Sequence, residues 1–305
     1  MLDISVVILT YNEEIHIQRC IENVRGFASE IFLVDSFSSD RTIEIAESLG
    51  AKVFQNKWEN NHARQLNWAL ENLPIRTKWV FRLDADEYLL PELVEELRQK
   101  TTDLPDDITG ILFKRRHIFL GKWMKKGIYP IRLLRMFQYR KAVCEQRWMD
   151  EYMQLLEGTS VEFEHDFVDH NLNNLSCFVS KHNGYAIREA IDLLDVELQL
   201  IKSANNSVSV DNSGEAFGIQ AVIKRKKKLR YARQPLFWRS FAYFVYRYFF
   251  RLGFLEGKEG FLWHFLQGWW YRTLVDAKIY EIKKACGTDK ERIKEYIRRE
   301  YRLEI

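Results

Sequence analysis

The sequence predicts an α/β fold: a mostly parallel sheet with helices on both faces, followed by a helical, amphipathic C-terminal region. Three observations carry this. Apolar runs alternate with helix-spaced segments over about the first hundred residues. Those runs end in polar residues, where an open α/β sheet gathers its ligands. Beyond residue 214 the composition turns basic and aromatic.

The elements follow in order. Ile4 to Thr10 is a β-rich apolar run, and Glu13 to Val24 has helical spacing with Ile17, Ile21 and Val24 on one side. Glu30 to Asp35 reads as a second strand. Asp40 is placed to cap a helix that runs to Leu49, and Gly50 to end it. Ala51 to Gln55 is a short third strand, Asn60 to Leu73 a helix, and Trp79 to Leu83 a fourth strand. Pro91 fits the first turn of a helix that ends near Lys100. Gly110 to Leu120 is a further strand. Residues 121–158 read as aromatic loops and short strands, and Asn173 to Lys202 as largely helical. Ser203 to Gly214 is polar, an exposed loop or a boundary.

Charge is unevenly distributed. Ala216 to Leu255 holds ten Lys or Arg and no Asp or Glu, whereas the remainder carries 36 basic and 43 acidic residues. A basic segment on an acidic protein points to a local anionic partner. The cysteines (Cys20, Cys144, Cys177 and Cys286) are too scattered for a zinc knuckle or a redox pair, which fits a reduced cytoplasmic protein. Strand-like sequence starts at Ile4 with no basic segment before it, so no signal peptide is expected. No uncharged run approaches the ~18 residues of a membrane-spanning helix.

The most informative stretch is Trp79-Val80-Phe81-Arg82-Leu83-Asp84-Ala85-Asp86-Glu87. It reads as a buried strand ending in two carboxylates one residue apart. Alternate residues of extended backbone point the same way, so both can face one pocket. Carboxylates there suit a divalent cation that also holds a diphosphate, Mg2+ needing only one or two of them. Asp86 is assigned to the metal, and Asp84 to the ribose or a metal-bound water. An acidic turn before the Pro91 helix is the plainer alternative. Thr10-Tyr11-Asn12-Glu13-Glu14 and Asp35-Ser36-Phe37-Ser38-Ser39-Asp40 also follow strands. Their Asn12 and Asp40 can cap helices, and a helix N-terminus also favours phosphate.

With Ala63-Arg64-Gln65-Leu66-Asn67-Trp68-Ala69, these segments resemble, in order and spacing, the nucleotide-binding domain of family-two glycosyltransferases with the GT-A fold. The resemblance implies a nucleotide-sugar donor, a UDP-sugar, with Mg2+ or Mn2+. It places Thr10, Tyr11, Glu13, Asp35, Arg64, Asp84 and Ala85 at the donor and the metal on Asp86 and Asp84. Residues 1–105 would bind the donor and 106–204 the acceptor side of one catalytic domain, with 215–305 as the basic aromatic region. Ser36 departs from the second carboxylate many members carry. The Asp-Ser form occurs in the branch that resembles lipopolysaccharide-core transferases.

Transfer also needs a base for the acceptor hydroxyl. Arg147-Trp148-Met149-Asp150-Glu151-Tyr152 resembles the family's acidic pair, giving Asp150 as base and Glu151 as fallback, with inversion at the anomeric carbon. His165 and His170 can each offer an imidazole to the metal, although hydrogen-bonded structural roles are commoner. Lys181, Tyr185 and Arg188 fall near one helix face. They suit either acceptor phosphate or an ion-pair surface between domains.

From Tyr231 to Tyr271 lie 17 of the 43 aromatic residues, after the cationic run Lys224 to Arg230. That mixture suits a membrane interface, with anionic lipid as partner. A helical core or dimer interface, or RNA binding, are the alternatives; nucleic acid is not the expected partner. Gly253 to Phe261 and Trp270-Tyr271-Arg272 resemble the C-terminal region of transferases acting on lipid-linked glycans. This implies a polyprenyl diphosphate-linked saccharide acceptor and a peripheral place at the inner face of a bacterial cell membrane. Two rival functions remain. A sugar nucleotidyltransferase needs a Gly-rich loop after the first strand, and no glycine precedes Gly26. A noncatalytic membrane or RNA adaptor would not need Asp84, Asp86 and Asp150.

Overall fold

The structure, a computed structural model, describes residues 1–59, 61–146, 151–200 and 230–305. The described residues fall into two compact units, one of residues 1–146 and 151–172, the other of residues 173–200 and 230–305. The expected boundary at 204–215 lies outside the described residues.

The first unit opens as anticipated: β1 (Leu2–Thr10), α1 (Glu14–Val24), β2 (Ala28–Asp35), α2 (Thr42–Ser48), β3 (Lys52–Gln55), α3 (His62–Asn72) and β4 (Trp79–Asp84). Then come β5 (Glu87–Leu89), α4 (Pro91–Lys100), β6 (Ile108–Phe119), β7 (Lys122–Trp123), β8 (Ile131–Gln138), β9 (Ala142–Cys144), β10 (Met153–Leu155) and β11 (Thr159–His170). The main sheet has the order β3-β2-β1-β4-β8-β6-β11-β5, with β7 paired to β6.

β3, β2, β1 and β4 run parallel, as the alternation of strand and helix requires. The second half departs from the mostly parallel expectation. β8 runs antiparallel to both β4 and β6, and β5 antiparallel to β11, although β6 and β11 are parallel. The sheet is therefore mixed. The segment read as loops and short strands contains β8, which sits in the middle of the sheet. A strand placed by hairpin-type neighbours needs no helix before it, so the βα rhythm does not announce it.

Alternation along β1 divides the faces. Ile4, Val6 and Ile8 share a core with Ile17, Cys20 and Ile21 of α1, Ala46 of α2, and Leu93 and Leu97 of α4. Val7 is buried toward the other face, where α3 meets β1 through the side that carries Ala63, Leu66 and Ala69. Helices thus cover both faces. Phe81 of β4 stacks on Phe113 of β6 at 5.2 Å, and Phe113 meets Phe163 of β11 edge-on at 5.6 Å. Such pairs add about 0.5–1.5 kcal/mol each beyond area burial. Gly50 ends α2 at φ +86°, a conformation that costs glycine little. Gly110 of β6 is needed for a different reason: a Cβ there would stand 2.8 Å from Leu134 and 2.9 Å from Leu155. It lets the β9–β10 hairpin lie close against the sheet.

The second unit is helical in its described residues: α5 (Leu175–Leu198), α6 (Trp238–Val245) extended by a π-turn over Tyr246–Phe250, α7 (Gly257–Trp263), α8 (Tyr271–Cys286) and α9 (Lys290–Tyr301). A π segment, His264–Trp270, joins α7 to α8. Ala190, Ile191 and Leu194 of α5 share a core with Val275, Ile279 and Ile282 of α8 and Ile293 and Ile297 of α9. Buried ion pairs tie the helices: Arg239 to Asp276, and Arg272 to Glu189 at 2.7 Å.

Candidate active site

Three strand ends meet in register. Thr10 pairs with Asp35 across β1–β2, and Leu9 with Asp84 across β1–β4. The carboxyl ends of β2, β1 and β4 therefore form one polar edge, where an open α/β sheet binds ligands.

The loops after β1 and β2 interlock. The Thr10 hydroxyl donates to Asp35 at 2.9 Å, and the Ser38 amide and hydroxyl donate to the same carboxylate at 2.7 and 2.5 Å. Asp35 is wholly buried, so its first task is to shape the loop. The Asn12 amide donates to the Ser38 hydroxyl, and the Asn12 side chain accepts from the Ser39 amide, each at 2.8 Å. Asp40 accepts from the amides of Thr42 and Glu14, so its capping bonds reach both α2 and α1. Despite burial, bonds from the Thr42 hydroxyl and these amides hold its carboxyl below the usual range. Tyr11 and Phe37 project from these loops with 60% and 56% of their surface exposed. Phe37 holds φ +61°, strained for a side chain of its size, which marks a loop fixed by its surroundings. Sequence reasoning placed Tyr11 at the site and overlooked Phe37. Glu13 accepts from His16 at 2.5 Å, and His16 Nε2 accepts from the Leu172 amide at 2.8 Å. The His16 proton therefore sits on Nδ1.

At the end of β4 the acids are held by cations the sequence did not single out. Arg135 of β8 bonds Asp84 at 3.1 Å and also Glu87. Arg82 lies 3.5 Å from Asp84, and His62 of α3 3.9 Å. Burial works against ionisation of Asp84, but Arg135, then Arg82 and His62, hold its carboxyl far below the usual range. Glu87 is displaced upward by burial, which Arg135 opposes and the nearby Asp84, Asp169 and Asp86 reinforce. An arginine inside an apolar strand is the signal that finds such residues: Arg82 in β4 and Arg135 in Leu133-Leu134-Arg135-Met136-Phe137 both follow it.

Asp86 has different company. Asn171 donates to its carboxylate at 2.9 Å. Its carbonyl accepts from the His170 amide at 3.0 Å and from Arg19 at 3.1 Å. The Asp84-Ala85-Asp86 turn is thus clasped from α1 and from the end of β11, with Ala85 buried beneath it.

The two histidines separate. His165 bonds Glu96 of α4 through both its amide and its ring, a structural role. His170 lies beside Asp86; burial and the Arg19 guanidinium hold its imidazole below the ordinary value. Arg64 is exposed at the start of α3 and pairs with Glu59 at 3.1 Å. Ser36 accepts from Gln65 at 3.1 Å, and Gln65 also bonds Asn56, so the departure at this position ties β2, β3 and α3 together. Asn67 exchanges two 2.8 Å bonds with the backbone of Cys144 and anchors the β9–β10 hairpin. The Glu145 amide bonds the Tyr152 carbonyl across that hairpin, which puts Glu151 at its closing loop. Asp150 lies outside the described residues, as does the cationic run up to residue 229. In the helical unit, Glu189 is committed to Tyr271 and Arg272, and Lys181 lies over the Tyr185 ring.

The residues present fit a hard divalent cation, though sparingly. Among the described residues no group of three or more His, Cys, Asp or Glu side chains is arranged around one point. Mg2+ or Mn2+ held mainly by phosphates needs one or two carboxylates. Asp86 offers one carboxylate, bonded by Asn171, whereas Asp84 is drawn onto Arg135 and Arg82.

Residues 5–154 match the family described as Glycosyl transferase family 2. An uncharacterized glycosyltransferase of Rickettsia bellii is 30% identical over 301 residues, covering 93% of this chain and 88% of the relative. The lipopolysaccharide core biosynthesis glycosyltransferase LpsC of Rhizobium meliloti is 32% identical over 125 residues, 39% of this chain and 44% of LpsC. Among solved structures, glucosyl-3-phosphoglycerate synthase from Mycobacterium tuberculosis, in complex with Mn2+, UDP and glucosyl-3-phosphoglycerate, is 24% identical. That match covers 38% of this chain and under half, 44%, of the synthase, with a TM-score of 0.31. The extent of the Rickettsia match, together with the motifs on three adjoining strand ends, settles the family: the chain belongs to glycosyl transferase family 2.

Proposed function

We propose that the chain is an inverting, metal-dependent transferase that moves a sugar from a UDP-sugar to a lipid-linked saccharide in bacterial surface polysaccharide biosynthesis. The observation that carries the donor half is the register of Thr10, Asp35 and Asp84 on three neighbouring strand ends, with Asp86 one turn beyond. Asp35, Thr10 and Glu13 shape the nucleoside pocket, Tyr11 flanks it, and Ala85 lets the turn approach the ribose. Arg64 exchanges Glu59 for the diphosphate, for which a fixed cation is suited. Asp86, and secondarily Asp84, hold Mg2+ or Mn2+. Such an ion supplies charge neutralisation on the departing diphosphate. Asp150 removes the acceptor proton, with Glu151 in reserve.

The acceptor half rests on other grounds. The relative from Rhizobium meliloti bears lipopolysaccharide core biosynthesis in its name. The helical unit exposes Trp238, Phe241, Phe249, Phe250, Leu255 and Phe261, and no helix of the described residues is long and apolar enough to cross a membrane. We assign this face to an anionic membrane surface, which places the enzyme peripherally at the cytoplasmic leaflet.

A screen of nucleotide-sugar hydrolysis with and without Mn2+ tests the donor half. The wild type should hydrolyse one UDP-sugar only with metal. Asp86→Asn should lose at least a hundredfold in rate, and its UDP affinity should no longer respond to metal. Wild-type rates in the variant would remove Asp86 from the metal site.

A further inference from the structure

We propose that Phe37 supplies the second wall of the nucleobase pocket, so that the donor's base is held between its ring and that of Tyr11. The proposal rests on the transferase reading above and adds to it a residue that the sequence did not single out.

Phe37 combines two costs. Its ring is 56% exposed, and its backbone sits at φ +61°. A single exposed apolar side chain needs no explanation. One held in the left-handed region does, because its Cβ crowds the carbonyl oxygen that follows. Asn12 on the facing loop, at φ +55°, is a residue that tolerates the region; phenylalanine is not. The surroundings impose the conformation. On one side the Ser36 amide continues the β1–β2 ladder by donating to the Thr10 carbonyl at 2.9 Å. On the other, the Ser38 amide and hydroxyl are fixed on Asp35, and the Ser39 amide on Asn12. These bonds fix the backbone and ask nothing of a ring, and a glycine at position 37 would accept the same geometry without strain. Neither Phe37 nor Tyr11 has a ring, cation–π or side-chain hydrogen-bond partner among the described residues. The Phe37 ring therefore answers to something outside its own loop.

Its position says what. Tyr11 follows Thr10 and Phe37 follows Ser36, so both rings leave the sheet just past the same ladder bond. A flat ring between two others needs a gap of about 7–8 Å, two carbon contacts deep. Neighbouring strands are about 4.8 Å apart, so side chains that diverge slightly from adjoining strand ends meet that width. β2 also lies on the far side of β1 from β4. Phe37 thus stands two strand spacings, roughly 10 Å, from the acidic turn assigned to the diphosphate. That is the nucleoside end of a bound donor, whose base is separated from its phosphates by the ribose. The β9–β10 hairpin assigned to the acceptor follows β8, which lies on the other side of β4. A base is also the part of the donor with two flat faces, the shape that a pair of aromatic rings recognises.

The test uses the full chain with Mg2+ and calorimetry, with UDP as one probe and inorganic pyrophosphate as a probe that lacks the base. Phe37→Gly should bind UDP at least tenfold more weakly, the loss expected when a stacking ring is removed. Its pyrophosphate affinity should be unchanged, and its melting temperature equal to the wild type or higher, because glycine relieves the strain. Phe37→Leu, which keeps an apolar side chain without a flat ring, should also lose UDP affinity, and Phe37→Tyr should retain it within twofold. UDP affinity within twofold of the wild type in Phe37→Gly would overturn the proposal while leaving the donor reading in place. Equal losses for UDP and pyrophosphate with a lowered melting temperature would overturn it too, by making Phe37 a structural residue. A wild type that binds neither probe would strike the donor reading, and the proposal with it.

Discussion

Arg135 is the residue on which the acidic turn depends. It is 3% exposed and pairs with Asp84 and Glu87, the latter 1% exposed. Removing one partner of a buried ion cluster leaves charge uncompensated and typically costs about 3–5 kcal/mol. Arg135→Met should lower stability by that amount in urea unfolding. Adding Glu87→Gln should restore part of it, because the two losses share one interaction. A second prediction separates base from scaffold. Asp150→Asn should leave UDP affinity unchanged while transfer falls a thousandfold or more; comparable donor-binding and folding losses would make Asp150 structural. Glu151→Gln should be the milder change unless the fallback holds. The carboxylates of this site were legible in the sequence because their spacing and position after apolar strands have a chemical meaning. Their partners were not, since Arg82, Arg135 and Asn171 reach the turn from elements that only folding brings together.

At the scale of elements, Glu96 joins α4 to β11. It accepts from the Glu164 amide at 2.9 Å, from Lys100 at 2.8 Å, and from the His165 amide at 3.0 Å and its ring at 2.9 Å. Burial opposes its ionisation, but these donors prevail and hold the carboxyl at about 2. The displacement from an ordinary glutamate corresponds to about 3 kcal/mol. Its folded-state value is depressed, so this stabilisation is fully present above the unfolded value near 4.5 and is lost as pH falls toward 2. Glu96→Gln should therefore lower stability most at neutral pH. Its gap from the wild type should close between about pH 4.5 and 2, measured by urea titrations at several pH values. A gap independent of pH would mean that packing, not charge, holds the joint. β11 itself was missed although Val161 and Phe163 alternate with Glu162 and Glu164. The histidines drew attention to chemistry, whereas period-two alternation was the better guide. β1 to β4 were readable because each βα unit closes its own short connection. β8 and β11 pair over long separations, and no local rule fixes their neighbours.

At the scale of the molecule, the basic aromatic region can be tested as a surface. Its rings form a connected web: Trp238 to Phe241 at 6.4 Å, Phe241 to Trp269 at 5.2 Å, Trp269 to Phe244 at 5.2 Å, Phe244 to Tyr248 at 5.3 Å, and Tyr248 to Phe261 at 5.9 Å. Phe244 is buried and Tyr248 and Trp269 are half-buried, so the aromatic composition does build a core in part, one of the alternatives left open by the sequence. The outer members are not covered. Trp238 is 71% exposed and Phe250 75%, and a groove of about 510 Å³ is lined by Phe241, Ala242, Val245, Tyr246 and Phe250. Arg230, Arg233, Arg251 and Lys258 are exposed within the same stretch, and the acidic Glu256 in it is buried. Aromatic rings with basic neighbours match the headgroup depth of an anionic bilayer. Flotation with vesicles of three parts phosphatidylcholine to one part phosphatidylglycerol should carry the protein, and pure phosphatidylcholine should carry much less. Raising salt should weaken the binding by screening its electrostatic part while leaving ring insertion intact. Trp238→Glu with Phe250→Glu should abolish flotation and leave UDP binding untouched. If that variant instead converts a dimer into a monomer and floats as before, the exposed rings belong to a second copy of the chain.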